Sequence, residues 1–416
     1  MEKTYISFTK EMQKDYTVLV PNMLPMHFTL LCKVFRNFGI RAELLTTSGQ
    51  EIKDTGLKYV HNDTCYPAIL VIGQFIHALQ SGKYDPHKTA LILFQTGGGC
   101  RASNYINLLR KALEKAGFAY VPVISMSVAG LEDHPGFDLS VPMLHRLVYA
   151  VLYGDLLMLL RNQCRPYEIQ KGESEELALA WTNRLAKEMD KGQKISYRRV
   201  KENYKEMIAD FNKIPRAEVK KPRVGVVGEI YVKYSPLANN HLEDFLVKEG
   251  AEVTVPGLTD FCLYCVYNYL LDTKLQGRNK KLYPLYRIAY RFLIKKQKDL
   301  IDAIRENSEF VPPNPFEHTV SLVKGYIGLG TKMGEGWLLT AEMLELSHQG
   351  VKNIVCTQPF GCLPNHICGK GMMRPIKERN PDVNIVAIDY DAGATAVNQE
   401  NRLKLMLANS AERKST

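Results

Sequence analysis

The run Ala90-Leu91-Ile92-Leu93-Phe94, continuing through Gln95-Thr96-Gly97-Gly98-Gly99-Cys100-Arg101, sets the architecture of this chain. An apolar stretch with no alternating polar residue suits a strand covered on both faces, as in a parallel sheet flanked by helices. The glycine triplet then lets the backbone turn sharply, and a cysteine stands where the turn ends. Arg101 to Ala116 follows with a helical pattern closed by Gly117, Val121 to Met126 is a further strand, and Pro142 to Asn162 a long helix.

Upstream the same order holds. Tyr16 to Val20 is β-prone, Leu24 to Phe38 has helical spacing ending at Gly39, and Ala42 to Leu45 and Lys58 to Val60 are extended candidates. Pro67 to Gln80 is helical and stops at Ser81-Gly82. Strands alternating with helices of this length predict an α/β fold, a parallel sheet wound by right-handed crossovers.

A second unit of this kind begins at Arg223-Val-Gly-Val-Val-Gly228-Glu229. It continues with a helix over Pro236 to Lys248, a strand over Glu252 to Val255, and a Tyr-, Lys- and Arg-rich helical insertion over Asp260 to Phe316. Gly334-Glu335-Gly336 opens a helix over Trp337 to Ser347, then come strand Asn353 to Cys356, strand Asn384 to Ile388 and helix Ala394 to Leu407. The polar, Lys/Glu-rich segment Glu173 to Lys221 reads as a bridge. The predicted division is a first α/β domain over 1–170, a helical linker over 171–221 and a second α/β domain over 222–416 with its insertion at about 260–316.

The 416 residues exceed what one core usually serves, and 45% hydrophobic with 24% charged residues is a globular composition. The opening segment, with charges of both signs and no apolar core, is not expected to act as a secretory signal, and the apolar run Leu144 to Leu160, broken by Arg146 and Asp155, suits a buried helix rather than a membrane span. Nine cysteines without an export signal argue for reduced thiols or metal ligands in a cytoplasmic protein. The net charge of +10 is concentrated over Arg184 to Arg223 and Lys274 to Lys298. Those runs show no nucleic-acid-binding pattern and are expected to be solvated helix faces.

Three cysteines share one local grammar. Cys65 lies in Asn62-Asp63-Thr64-Cys65-Tyr66-Pro67, Cys100 follows the glycine triplet, and Cys362 sits in Cys356-Thr-Gln-Pro-Phe-Gly-Cys362-Leu-Pro364-Asn-His366-Ile-Cys368. Each stands at a loop-to-helix junction, where free backbone N–H groups favour a thiolate, so Cys362 is expected to be presented and acidic rather than packed. In open α/β sheets such loops converge beyond the carboxyl ends of the strands, which places one shared soft-metal site in the cleft between domains. Three unrelated buried cysteines are the plain alternative. Zinc asks for four ligands in a closed site, whereas a [4Fe-4S] core prefers thiolates and, held by three, keeps one iron open to a substrate oxygen.

Other residues have plainer readings. Cys262 and Cys265 lie in a helical context and suit a core or groove lining. Cys356 and Cys368 are spare thiols flanking Cys362, and Cys32 and Cys164 look structural. Gly334-Glu335-Gly336 is a helix start with a weak claim to a phosphate. Asp389 and Asp391 cap the last helix or meet a polar ligand, and His61 and His366 are candidates for hydrogen bonds around the site.

Taken together, NDTCYP, GGGCRASNY, GEIYVKYSP and QPFGCLPNH resemble the iron–sulfur component of the 2-hydroxyacyl-CoA dehydratase family. The form they are most similar to is the C-terminal module of large activase-fused proteins, and the resemblance covers nearly the whole chain. It implies flavodoxin-like or Rossmann-like domains with a [4Fe-4S] cluster between them on Cys65, Cys100 and Cys362; Arg101 and His366, next to those loops, are the candidates for groups around it. It also implies low-potential electron transfer from an ATP-dependent activator protein, an acyl-CoA substrate that loses water, and a homologous subunit or a homodimer, with neither nucleic acid nor membrane as partner. An electron relay without catalysis, a double-cubane-type reductase and a zinc-stabilised scaffold stay open beside it.

Overall fold

A computed structural model describes residues 5–95, 99–127, 132, 134–190 and 192–412. Gly97 and Gly98 of the glycine triplet lie outside the described residues. The chain forms two four-stranded sheets. In the first, β1 (Thr17–Val20), β2 (Arg41–Leu44), β3 (Thr89–Gln95) and β4 (Val123–Ser127) lie in the order β2-β1-β3-β4. In the second, β5 (Arg223–Gly228), β6 (Glu252–Thr254), β7 (Asn353–Pro359) and β8 (Asn384–Tyr390) lie in the order β6-β5-β7-β8. Every pairing is parallel. This is the α/β architecture expected from the apolar strand runs, and it is consistent with two Rossmann-like domains.

Alternation along each strand explains the double covering. Val18, Val20, Ala90 and Ile92 point into a core shared with Phe28 and Leu31 of helix Pro25–Asn37 and Tyr149 and Leu156 of helix Val141–Cys164. Leu19, Leu91 and Leu93 point the other way, onto Ile69 and Ile72 of helix Tyr66–Gln80 and Leu109 of helix Tyr105–Lys115. The second sheet repeats this: Val224, Val226 and Val355 join the latter core, while Val227, Ile354 and Ile385 meet Met343 and Leu344 of helix Trp337–His348. Helix Val141–Cys164 is long and apolar enough to cross a membrane by composition alone, but 72% of its most apolar window is buried inside the fold.

Two local expectations change. Lys58 to Val60 is not a strand, because Gln50–Tyr59 is a helix lying across helix Tyr66–Gln80. Gly56 and Gly73 form the crossing, and a Cβ on either would run into the other helix's backbone. Pro236 to Lys248 is not one helix: Asn240 and His241 adopt φ of 54° and 57° and break it. The segment after residue 171 packs on the first core. Helices Glu173–Glu188 and Tyr197–Asn212 bury Trp181, Leu185, Tyr204 and Phe211 in the first core, and their outer faces pair Arg199 with Glu188 and Glu206. The insertion folds as helices Leu258–Gln276 and Tyr283–Asn307, packed on each other.

Candidate functional site

A cavity of about 730 Å³ opens where loops leave the carboxyl ends of both sheets. Met23 comes from beyond β1, Cys100 and Arg101 from beyond β3, Glu229 from beyond β5, and Cys362 from beyond β7. Cys65, at the start of helix Tyr66–Gln80, completes the set, so all three predicted cysteines line one cavity. Its remaining wall is largely apolar, with Phe28, Leu31, Phe94, Leu139, Leu258 and Phe261.

The loops lock to each other across the two halves. Tyr66 N donates to Phe360 O at 3.0 Å, tying the Cys65 corner to the Cys362 loop. Gly361, at φ 73°, lies against the same corner, so a Cβ there would stand 3.0 Å from Cys65 Cα and 3.4 Å from Arg101 Nη1. The Arg101 guanidinium in turn donates to Asp63 O. Near Cys100, Gly99 N donates to Met333 Sδ at 3.1 Å, and a Cβ at Gly334 would meet Cys100 Sγ at 3.5 Å. The Gly334-Glu335-Gly336 turn therefore belongs to the site, with Glu335 lining the cavity.

The electrostatics differ from the exposed, acidic thiol expected for Cys362. Cys65 and Cys362 are only 5% and 6% exposed. Burial pushes the Cys65 thiol up, against a hydrogen bond of 2.8 Å with the Tyr105 hydroxyl, raises Cys100 to about 11, and holds Cys362 well above its usual value. Glu229 and Glu335, both buried, lie beside Cys100 and Cys362, and when ionised they disfavour the thiolates further. Burial, then Glu335, lifts the Glu229 carboxyl to about 8, and burial raises Glu335 as well. The protein's own groups thus keep these thiols protonated, and a bound cationic core is what would draw the protons off.

The residues fit such a core by donor chemistry. Five thiols line the cavity, because Cys262 and Cys265 also face it, in keeping with the groove-lining reading. Among the described residues, no three His, Cys, Asp or Glu side chains gather tightly enough for a single metal ion.

Other candidates lie elsewhere. Arg101 lines the cavity at its solvent-exposed rim. His366 does not: the turn Asn365–Gly369 buries Asn365 and Cys368 and carries His366 outward. His61 faces solvent beside Asp63. Asp389 pairs with Lys370 at 2.9 Å, and Asp391 accepts from Gly393 N in the turn before the last helix. Cys32, Cys164 and Cys356 are buried in the cores. Sequence reasoning gave Glu229 and Tyr105 no role and read Glu335 only as part of a helix start with a weak claim to a phosphate. The available signal was the glycine pair around Glu335, with φ of 59° and 44°, a turn built for close approach. Compared with protein-family models and with curated proteins, the chain matches none.

Proposed function

We propose that this protein is a [4Fe-4S] protein of the 2-hydroxyacyl-CoA dehydratase type, accepting a low-potential electron from an ATP-dependent activator and removing water from a 2-hydroxyacyl-CoA. The observation that carries the reading is the meeting of Cys65, Cys100 and Cys362 at one cavity although their loops come from both halves of the chain. When bound, such a core supplies one-electron chemistry and an iron open to an oxygen ligand.

The chain's own residues supply the rest. Phe28, Phe94 and Phe261 give an apolar wall that excludes water and suits an acyl chain. Glu229 keeps a carboxyl group in the same cavity, where a departing hydroxyl needs a proton. Arg101 stands exposed at the rim, where an anionic carrier such as coenzyme A has to pass.

The test is oxygen-free purification with iron, sulfide and zinc analysis, and EPR after one-electron reduction. Four iron and four sulfide per chain with a reduced-cluster signal is the expected result. A folded protein holding stoichiometric zinc, or no metal, refutes the reading. Turnover with activator, ATP and a panel of 2-hydroxyacyl-CoA thioesters then separates a dehydratase from a relay, which accepts electrons and leaves every thioester unchanged. The five cavity thiols favour a second reading, a double cubane, for which about eight iron per chain and loss of half of it in Cys262→Ala are the marks.

A further inference from the structure

The two sheets repeat one strand order: counted from its own first strand, each runs second, first, third, fourth. β3 thus corresponds to β7, and Cys100 and Cys362 leave equivalent strands. The last α-helix before β3 is Tyr66–Gln80 and the last before β7 is Trp337–His348. Cys65 caps the first of these, and Gly336 caps the second, directly preceded by Glu335. The pseudo-repeat therefore brings four corners to one cavity, three bearing a thiol and the fourth a carboxyl.

Local geometry supports the correspondence. Glu335 is 5% exposed and lines the cavity with the three cysteines. Both flanking glycines have positive φ; Gly334 packs its side of the turn against Cys100 and Pro364, where a Cβ would stand 3.2 Å from Pro364 Cγ, and Gly336 packs the other side against Thr331 and Lys332. Its Oε1 accepts from Ile230 N at 2.9 Å, which fixes the carboxyl. Glu229, the other acid in the cavity, leaves β5, whose counterpart β1 supplies no cysteine, and its Oε2 already accepts from Val232 N as a helix cap.

We propose that Glu335 is the fourth protein ligand of the cluster, its carboxylate closing the iron that Cys65, Cys100 and Cys362 leave without a thiolate. This rests on the cluster reading above. It makes the site three soft donors and one hard oxygen, and the oxygen is the one a substrate displaces.

The experiment compares wild type, Glu335→Gln and Glu335→Cys, purified without oxygen. Each is titrated with ferricyanide while iron release and the EPR signal of a three-iron cluster are followed. Glu335→Gln keeps an acceptor for Ile230 N but is a poor ligand, so it is expected to lose one iron about tenfold faster than wild type. Glu335→Cys is expected to hold that iron longer and to have a lower midpoint potential, a readout that a merely structural role leaves unmoved. Equal iron release and equal potentials in all three iron-loaded proteins overturn the ligand assignment alone. A wild type free of iron overturns the cluster reading, and the assignment with it.

Discussion

Lys233 and Glu342 form an ion pair with Nζ to Oε1 at 2.8 Å and side chains 4% and 2% exposed. The pair joins helix Ile230–Tyr234, which follows Glu229, to helix Trp337–His348, which follows Glu335, so it braces both acids of the cavity. Among the described residues Glu342 Oε2 has no partner, and Lys233 is the one cation acting on Glu342. Lys233→Met leaves a buried carboxylate uncompensated near neutral pH, which costs about 3–5 kcal/mol. Lys233→Met with Glu342→Met removes both charges, and most of that loss is expected to return, to within about 1 kcal/mol. The loss in the single variant should also shrink on acidification. Burial raises the Glu342 carboxyl, deleting Lys233 raises it further, and once protonated it needs no cation. The assay is denaturant unfolding in a Trp181→Phe background, where Trp337, fully buried in helix Trp337–His348, is the remaining indole. A single variant within about 1 kcal/mol of wild type, or a double variant as unstable as the single, refutes the reasoning.

Cys65→Ser, Cys100→Ser and Cys362→Ser are each expected to abolish most bound iron and sulfide, whereas Cys32→Ala and Cys164→Ala, buried in the first core, keep it; metal analysis decides. Gly73→Ala forces a methyl into the Ile52 carbonyl across the helix crossing and should cost about 2–3 kcal/mol by chemical unfolding, while Gly328→Ala, with open space around it, stays within about 0.5 kcal/mol. Burial lifts Glu345 from 4.5 to about 7, so this residue costs nothing below that window and its contribution turns destabilising as pH rises through it. Glu345→Gln is therefore expected to match wild type at the acidic end and exceed it above the window, and a constant difference at all pH values counts against this.

The fold was legible because its strands are buried on both faces and so appear as unbroken apolar runs, as β3 and β7 do. Helix Gln50–Tyr59 was hidden for the opposite reason: it buries only Ile52 and Gly56, and a glycine contact leaves no hydrophobic pattern to read. The break at Asn240 and His241 left only a weak mark: Asn and His are enriched at positive φ, but without a glycine or proline they do not stand out from a continuing helix. At the site, the cysteines stood out because proline and glycine frame them. The carboxyls did not, because a glutamate before a helix looks the same whether it caps the helix or faces a cavity. The expected acidity of Cys362 failed on burial, which outweighs nearby N–H groups and depends on loops far away in sequence.

Helix Val141–Cys164 bears on how the protein is made. It packs on helices Pro25–Asn37, Glu173–Glu188 and Tyr197–Asn212, but also on β6 and on helices Leu258–Gln276 and Tyr283–Asn307. During translation this greasy cylinder leaves the ribosome well ahead of the partners that clothe its far side, and until they arrive it offers chaperones a target. Recombinant fragments ending near residue 221 will carry that bare flank permanently and precipitate, so the two halves are best produced as one polypeptide.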